Sequence, residues 1–169
     1  MDWGSEPNIY VIGGAEGVGL ALVKEILNRG AFMVGVLDGT GAGTKAVDAL
    51  DGVWVVQHDL SFSCPDLFTE ATVLHTASSY LSDPLDRLQG DLRMGLNIVR
   101  ALAVACRLGK PPRLAAYIPP EWIDFTTQAA VGCLFKNLNH TYGVPVLRMI
   151  MDGFTSAGAI CNLVESVVK

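Results

Sequence analysis

Charge is scarce in this chain: 17% of its 169 residues are Asp, Glu, Lys or Arg, against 50% that are hydrophobic. So apolar a composition predicts that part of the surface is covered by another subunit. The net charge is −5, and no run of like charge exceeds a few residues. The clustered Lys and Arg that nucleic-acid binding needs are therefore missing. Metal-ligand spacing is missing too. Cys64, Cys106, Cys133 and Cys161 include no CxxC pair. Three of them fall in helical patterns and are expected as small core residues of a chain kept in a reducing compartment. No stretch reaches the length of a membrane span without an Arg or Lys, and the first residues, with Asp2 and Glu6, carry no charged-then-apolar leader. The expectations are a cytoplasmic protein with no membrane, nucleic-acid or metal partner. Repeats and linkers are also lacking, and the length fits one domain over 1–169 with a substantial core.

What the chain does have is concentrated between Ile9 and Asp38. Ile9, Tyr10, Val11 and Ile12 make the short apolar run of a parallel strand buried on both faces. Gly13, Gly17 and Gly19 follow in GxxxGxG spacing. Missing side chains there permit a tight turn, close approach of backbone to a pyrophosphate, and close packing of the next helix. In that helix Val18, Leu22 and Ile26 share a stripe with Val23 and Leu27, and Gly30 is placed as its cap. Phe32 to Leu37 is a second apolar run, ending on Asp38, nineteen positions after Gly19. A carboxylate at that strand tip accepts from both ribose hydroxyls of an adenosine and repels a 2′-phosphate, so the pocket is expected to prefer NAD to NADP.

Strand and helix alternate through the remainder. A weak helix runs from Thr44 to Leu50, and strands lie at Val53 to Val56, Thr72 to His75, Leu114 to Ile118 and Val146 to Met151. Longer helices run from about Asp83 to Leu108 and from Asp124 to Tyr142, with a last one around Ile160, Leu163, Val164 and Val167. This predicts a Rossmann-like α/β fold, a doubly wound parallel sheet of about six strands with helices on both faces. Asp59 and Leu60 follow the third strand, where a carboxylate and an apolar side chain can bond an adenine amino group and cover its ring. Asp59 is equally suited to a helix cap or turn. Ala77 and Ser78 follow the fourth strand, leaving room for a nucleotide or simply forming a turn. His75 reads as a satisfied core or strand-end histidine. The helix after Asp83 carries Leu92, Leu96, Val99, Ala103 and Cys106 on one stripe and Ile98, Leu102 and Val104 on another. One face is expected to cover the sheet and the other a neighbour.

Taken together, these blocks resemble the short-chain dehydrogenase/reductase family over nearly the whole length. IGGAEGVG is similar to that family's TGxxxGxG, with Ile12 in place of the threonine. Asp38 matches its NAD-selecting acid, and Asp59 with Leu60 its adenine-contacting pair. VLHTAS, DLRMGLNIVRALA and QAAVGCLFKNLNHTYGVPV are similar to later blocks of the family in the right order, and MDG stands where the family writes a PG turn. The resemblance implies NAD(H) held by Gly13, Gly17, Val18, Gly19, Asp38, Asp59, Leu60, Ala77 and Ser78. It also implies pairing of helices 91–108 and 124–142 as a dimer or tetramer, or with an active paralogue.

Where the family has its catalytic tyrosine and lysine, this chain has Asp124 and Gln128. The family serine falls among Pro119 and Pro120, and its asparagine is Asp91. Glutamine has no charge with which to lower a neighbouring pKa. The resemblance therefore implies a degenerate member acting as a structural or regulatory subunit. The alternative is an enzyme with relocated groups, using Asp124, Glu121, Tyr117, Tyr80 or His75 for hydride transfer or for a non-redox cyclisation, dehydration or isomerisation. On that reading Trp122 and Phe125 either line an apolar pocket that raises the pKa of Asp124 or plug the space left by a short loop.

Overall fold

A computed structural model describes residues 8–39, 45–149 and 155–168. The Asp2 and Glu6 segment, Thr44, the end of the sixth strand at Met151 and the MDG turn lie outside the described residues. Six parallel strands form one sheet: β1 (Ile9–Ile12), β2 (Val34–Asp38), β3 (Val53–Gln57), β4 (Thr72–His75), β5 (Leu114–Tyr117) and β6 (Val146–Arg148). Their order across the sheet is β3-β2-β1-β4-β5-β6. The chain thus starts in the middle, builds outward to β3, then crosses back to lay β4 beside β1.

Every residue of β1, β4 and β5 is buried, because helices cover both faces of these central strands; this explains their unbroken apolar runs. β3, at the edge, is only half-buried, and Trp54 is exposed on it. On one face lie α1 (Gly17–Asn28) and α5 (Ala157–Val168), around a core of Val11, Leu22, Ile26, Leu74 and Ile160. Arg29 joins the pair: its guanidinium is 2.8 Å from Glu25, 3.3 Å from Glu165 and donates to the Gly158 carbonyl. On the other face α3 (Pro84–Arg107) and α4 (Phe125–Tyr142) close over Tyr10, Leu37, Leu102, Tyr117 and Phe135. Gly95 lets these two helices approach, since a Cβ there would sit 3.2 Å from Leu134 and Val131. The short α2 (Lys45–Asp48) leads into the edge strand.

Local chemistry sets the helix boundaries. Asp83 accepts from the amides of Leu85 and Asp86 while Pro84 takes the first helical position, two features that favour a helix start. Asp124 opens α4 by accepting from the Thr127 amide, and Gly143 closes it in the left-handed conformation at φ +72°, which glycine adopts without strain.

Two expectations need correction. Of the cysteines placed in the core, only Cys161 is buried; Cys106 is half-buried and Cys133 is exposed, because helical periodicity turns those two positions away from the sheet. On α3, where the sequence left open which apolar stripe meets the sheet, the buried positions are Asp91, Gly95, Ile98, Ala101, Leu102, Ala103 and Ala105. The stripe through Leu92, Leu96, Val99 and Cys106 is only half-covered, and Leu96 is exposed. His75 is buried, as expected, but is not satisfied: its Nδ1 has no hydrogen-bond partner.

Candidate functional site

The crevice at the carboxyl ends of β1 and β4 lies where the strand order reverses, the position at which open α/β sheets take ligands. Its floor is the glycine turn. Gly13 and Gly17 have φ of +82° and +57°, a region that side chains other than glycine adopt only with strain. A Cβ on Gly13 would come within 2.9 Å of the Ala77 backbone, and one on Gly19 would overlap the carbonyl oxygen of Gly13. Thr76 Oγ1 donates to the Ile12 carbonyl at 2.7 Å, fastening the end of β4 to β1. Turn, helix and β4 are therefore packed to backbone contact.

Beside this floor opens a cavity of about 360 Å3, lined by Gly13, Leu37, Asp38, Asp59, Leu60, Ala77 and Ser78 among others. The volume lies in the range of small-molecule sites. The tips of β1, β2, β3 and β4 each contribute, so residues far apart in sequence face one space. Asp38 ends β2 and is half-buried. Asp59 has both roles left open by the sequence: it lines the cavity, and its Oδ1 accepts from the amide and hydroxyl of Ser61 at 3.0 and 2.6 Å. Those bonds hold its carboxyl below the usual carboxylate range. Leu60 is buried, with its carbonyl accepting from Asn97 of α3. From α3, Gly90, Arg93 and Met94 complete the wall, and Arg93 is the one basic side chain among its described lining residues.

Ser78 and Asp91 form a buried anchor. The Ser78 hydroxyl donates to the Asp91 carboxylate at 3.0 Å, and the Ser79 amide donates to it at 2.6 Å. Burial raises the pKa of Asp91, and the Ser79 and Ser78 bonds oppose that rise. Ser78 Oγ also accepts from the Tyr80 amide at 3.3 Å. Ser78, expected either to leave room for a nucleotide or simply to form a turn, thus uses its hydroxyl to shape its own turn. That turn sends Tyr80 across the crevice with φ +58°.

Tyr80 separates the large cavity from a second one of about 210 Å3, and lines both. The smaller cavity is bounded by Glu16, Gly17, Val18, Thr76, Pro120 and Trp122. Gly17 and Val18 therefore face this space, while Gly13, Asp38, Asp59, Leu60, Ala77 and Ser78 face the larger one. Gly19 lies beneath, against Gly13 and Thr76. Burial, then the charge of the neighbouring Glu16 carboxylate and a hydrogen bond to it, push the Tyr80 phenol above its ordinary range. Trp122 packs on the Tyr80 ring at 5.5 Å, and the Arg87 guanidinium lies 5.6 Å from the Trp122 ring centre.

Of the groups considered for acid or base chemistry, Asp124 is engaged in capping a helix and His75 is buried. Asp124 is an N-cap, bonded to the Thr127 amide and hydroxyl and 3.3 Å from Arg87. The Thr127 bonds lower its pKa, which corrects the expectation that Trp122 and Phe125 raise it. Phe125 is largely exposed, and Trp122, half-exposed, lies against Tyr80 at the second cavity. Gln128 Nε2 donates to the Ile123 carbonyl at 2.7 Å. His75 stacks against Tyr117 and Phe135, which also stack on each other, and burial pulls its pKa down to about 3. No lysine lines either cavity among the described residues, and no group of acidic, histidine or cysteine side chains there is arranged to hold a metal. No described helix is long and apolar enough to cross a membrane. Sequence reading missed the dividing role of Tyr80 and the anchoring role of Asp91. The single available signal was an aromatic next to a run of small residues after β4.

A six-stranded parallel sheet with this order, a glycine turn after β1 and a crevice at the switch point define a Rossmann-like α/β fold. No protein-family profile and no curated protein matches the chain. Among solved structures it is similar to a protein from Corynebacterium glutamicum assigned to the short-chain dehydrogenases/reductases, at TM-score 0.65 and 18% identity, covering 95% of this chain and 91% of that one. It is also similar to the enzyme WbmF of Bordetella bronchiseptica in complex with NAD+ and UDP, at TM-score 0.65 and 18% identity over 85% of this chain. A UDP-galactose 4-epimerase matches at TM-score 0.59 and 17% identity over 83% of this chain. The match spans 48% of WbmF and 54% of the epimerase.

Proposed function

We propose that this protein binds NAD(H) at the switch-point crevice, lacks the proton-transfer residues of the dehydrogenases it resembles, and acts as a structural or regulatory subunit. The observation that carries the reading is the cavity lined by Gly13, Asp38 and Ala77, which sets glycine backbone on one side and the tip of β2 on the other. An adenosine fits such donors and acceptors: its ribose hydroxyls toward Asp38, its base between Leu60 and the α3 wall near Asp59. Solved neighbours of the same fold carry NAD+ or NADH, which supports the choice of ligand. When bound, the nicotinamide ring supplies hydride chemistry. The positions that answer to the family's tyrosine and lysine are here a helix cap, Asp124, and a side chain tied to a backbone carbonyl, Gln128.

The competing reading, an enzyme with relocated groups, asks most of Asp124, whose lowered pKa makes it a poor proton donor near neutrality. The partner face we assign is the outer side of α3 and α4, where Leu96 is exposed and Leu92 and Val99 are half-covered. A homo-oligomer or an active paralogue would complete it. Calorimetric titration with NAD+, NADH and NADPH, with mass measured by light scattering, tests both parts. Expected are binding of NAD+ or NADH, NADPH weaker by about tenfold or more through repulsion at Asp38, and a mass above that of one chain. Absence of binding by all three overturns the nucleotide reading, and a monomer overturns the homo-oligomer.

A further inference from the structure

We propose that the crevice recognises the adenosine part of a nucleotide alone and leaves the nicotinamide half of NAD(H) unheld, with Tyr80 as the residue that sets this specificity. The inference rests on the nucleotide reading above and narrows it. A dinucleotide held along its whole length needs one continuous channel over the glycine turn. Here the channel is two cavities, and Tyr80 is the wall between them.

The wall is half-exposed and is held by its neighbours. Behind it, the buried Asp91 carboxylate holds the Ser79 amide and the Ser78 hydroxyl, and Ser78 in turn takes the Tyr80 amide. Before it, Glu16, just ahead of α1, shares the lining of the second cavity with Tyr80. Above it, Trp122 lies on the ring, with Arg87 near Trp122 and also tied to Asp124. Tyr80 stays left-handed at φ +58°, a conformation costly for an aromatic residue and kept only where the surroundings enforce it. The chemistry of the second cavity is also wrong for the far half of a dinucleotide. Its described lining includes the Glu16 carboxylate and no basic side chain, so a phosphate crossing from the first cavity to the second meets like charge. The first cavity is complete for an adenosine without it, and holds the one cation of the two, Arg93.

The test compares AMP, NAD+ and nicotinamide mononucleotide by calorimetry on the parent chain and on Tyr80→Gly. Glycine takes a positive φ without strain, so this variant keeps the turn. Trp122→Ala, which loosens the brace from outside, serves as the second variant. In the parent, AMP and NAD+ should bind within about fivefold of each other, a difference near 1 kcal/mol, and nicotinamide mononucleotide should not compete. In either variant NAD+ should gain about fivefold or more over AMP as the two cavities join. A parent that prefers NAD+ beyond that factor, or variants that leave the ratio unchanged, overturn the role of Tyr80 while the nucleotide reading stands. Failure of both AMP and NAD+ to bind the parent overturns the nucleotide reading itself.

Discussion

Replacing His75 by Phe should change how the stability of this protein depends on pH, by an amount set by burial. His75 is 1% exposed, stacked 5.4 Å from Tyr117 and 5.8 Å from Phe135, with Nδ1 unpaired. Burial lowers its pKa from 6.5 to about 3. In the folded chain the ring therefore stays neutral, whereas the unfolded chain takes up a proton once the pH drops below 6.5. The unfolded state binds more protons in that window, so stability rises with pH between about 3 and 6.5. The His75 contribution is whole above 6.5 and is lost as pH falls toward 3. Each pH unit in the window is worth about 1.4 kcal/mol, so going from 6.5 to about pH 5 costs about 2 kcal/mol, or roughly 4–8 °C in Tm at this chain length. Phenylalanine has nothing to protonate, and it also removes an unpaired buried nitrogen, a pH-independent gain of about 1–3 kcal/mol. Urea unfolding followed by circular dichroism at about pH 7 and about pH 5 reads both effects. Carboxylates such as Asp59 and Asp124 also weaken the fold in acid, but equally in both chains, so the difference between the two curves isolates His75. Parallel curves would refute the reasoning, because they mean that the folded chain can protonate His75 at little cost.

Two further substitutions test the packing of the crevice and of α4. Gly19→Ala should lower stability by about 1–3 kcal/mol, since its methyl group overlaps the Gly13 carbonyl and sits 2.6 Å from Thr76 Oγ1; an unchanged urea midpoint would show that the turn is looser than described. Asp124→Ala should cost about 0.5–2 kcal/mol by removing the α4 cap, and Asp124→Asn much less, because an amide oxygen can still accept from the Thr127 amide. Unfolding midpoints of the two variants decide it, and equal losses would mean that the carboxylate charge, rather than the cap, is what α4 needs.

The strands and helices of this protein are written locally. Unbroken runs such as Ile9 to Ile12 and Thr72 to His75 can only be strands buried on both faces, and their alternation with helices leaves few ways to build anything but a parallel sheet. The glycine turn and Asp38 were legible for the same reason: a tight turn and a strand tip are properties of a few adjacent residues. Which stripe of α3 meets the sheet was not legible, because the helix carries two apolar stripes and only packing chooses between them. The same holds for the site. Asp59 acquires its Ser61 bonds within two residues, so both of its alternatives were visible but unranked, whereas the cap that Asp124 makes to Thr127 was equally local and went unread. The link from Asp91 to Ser78, from Tyr80 to Glu16 and Trp122, and the unpaired nitrogen of His75 exist only after β4 has been laid beside β1 and α3 closed over them. Hydrogen bonds and desolvation depend on where groups meet in space, and that is decided by the folded chain as a whole.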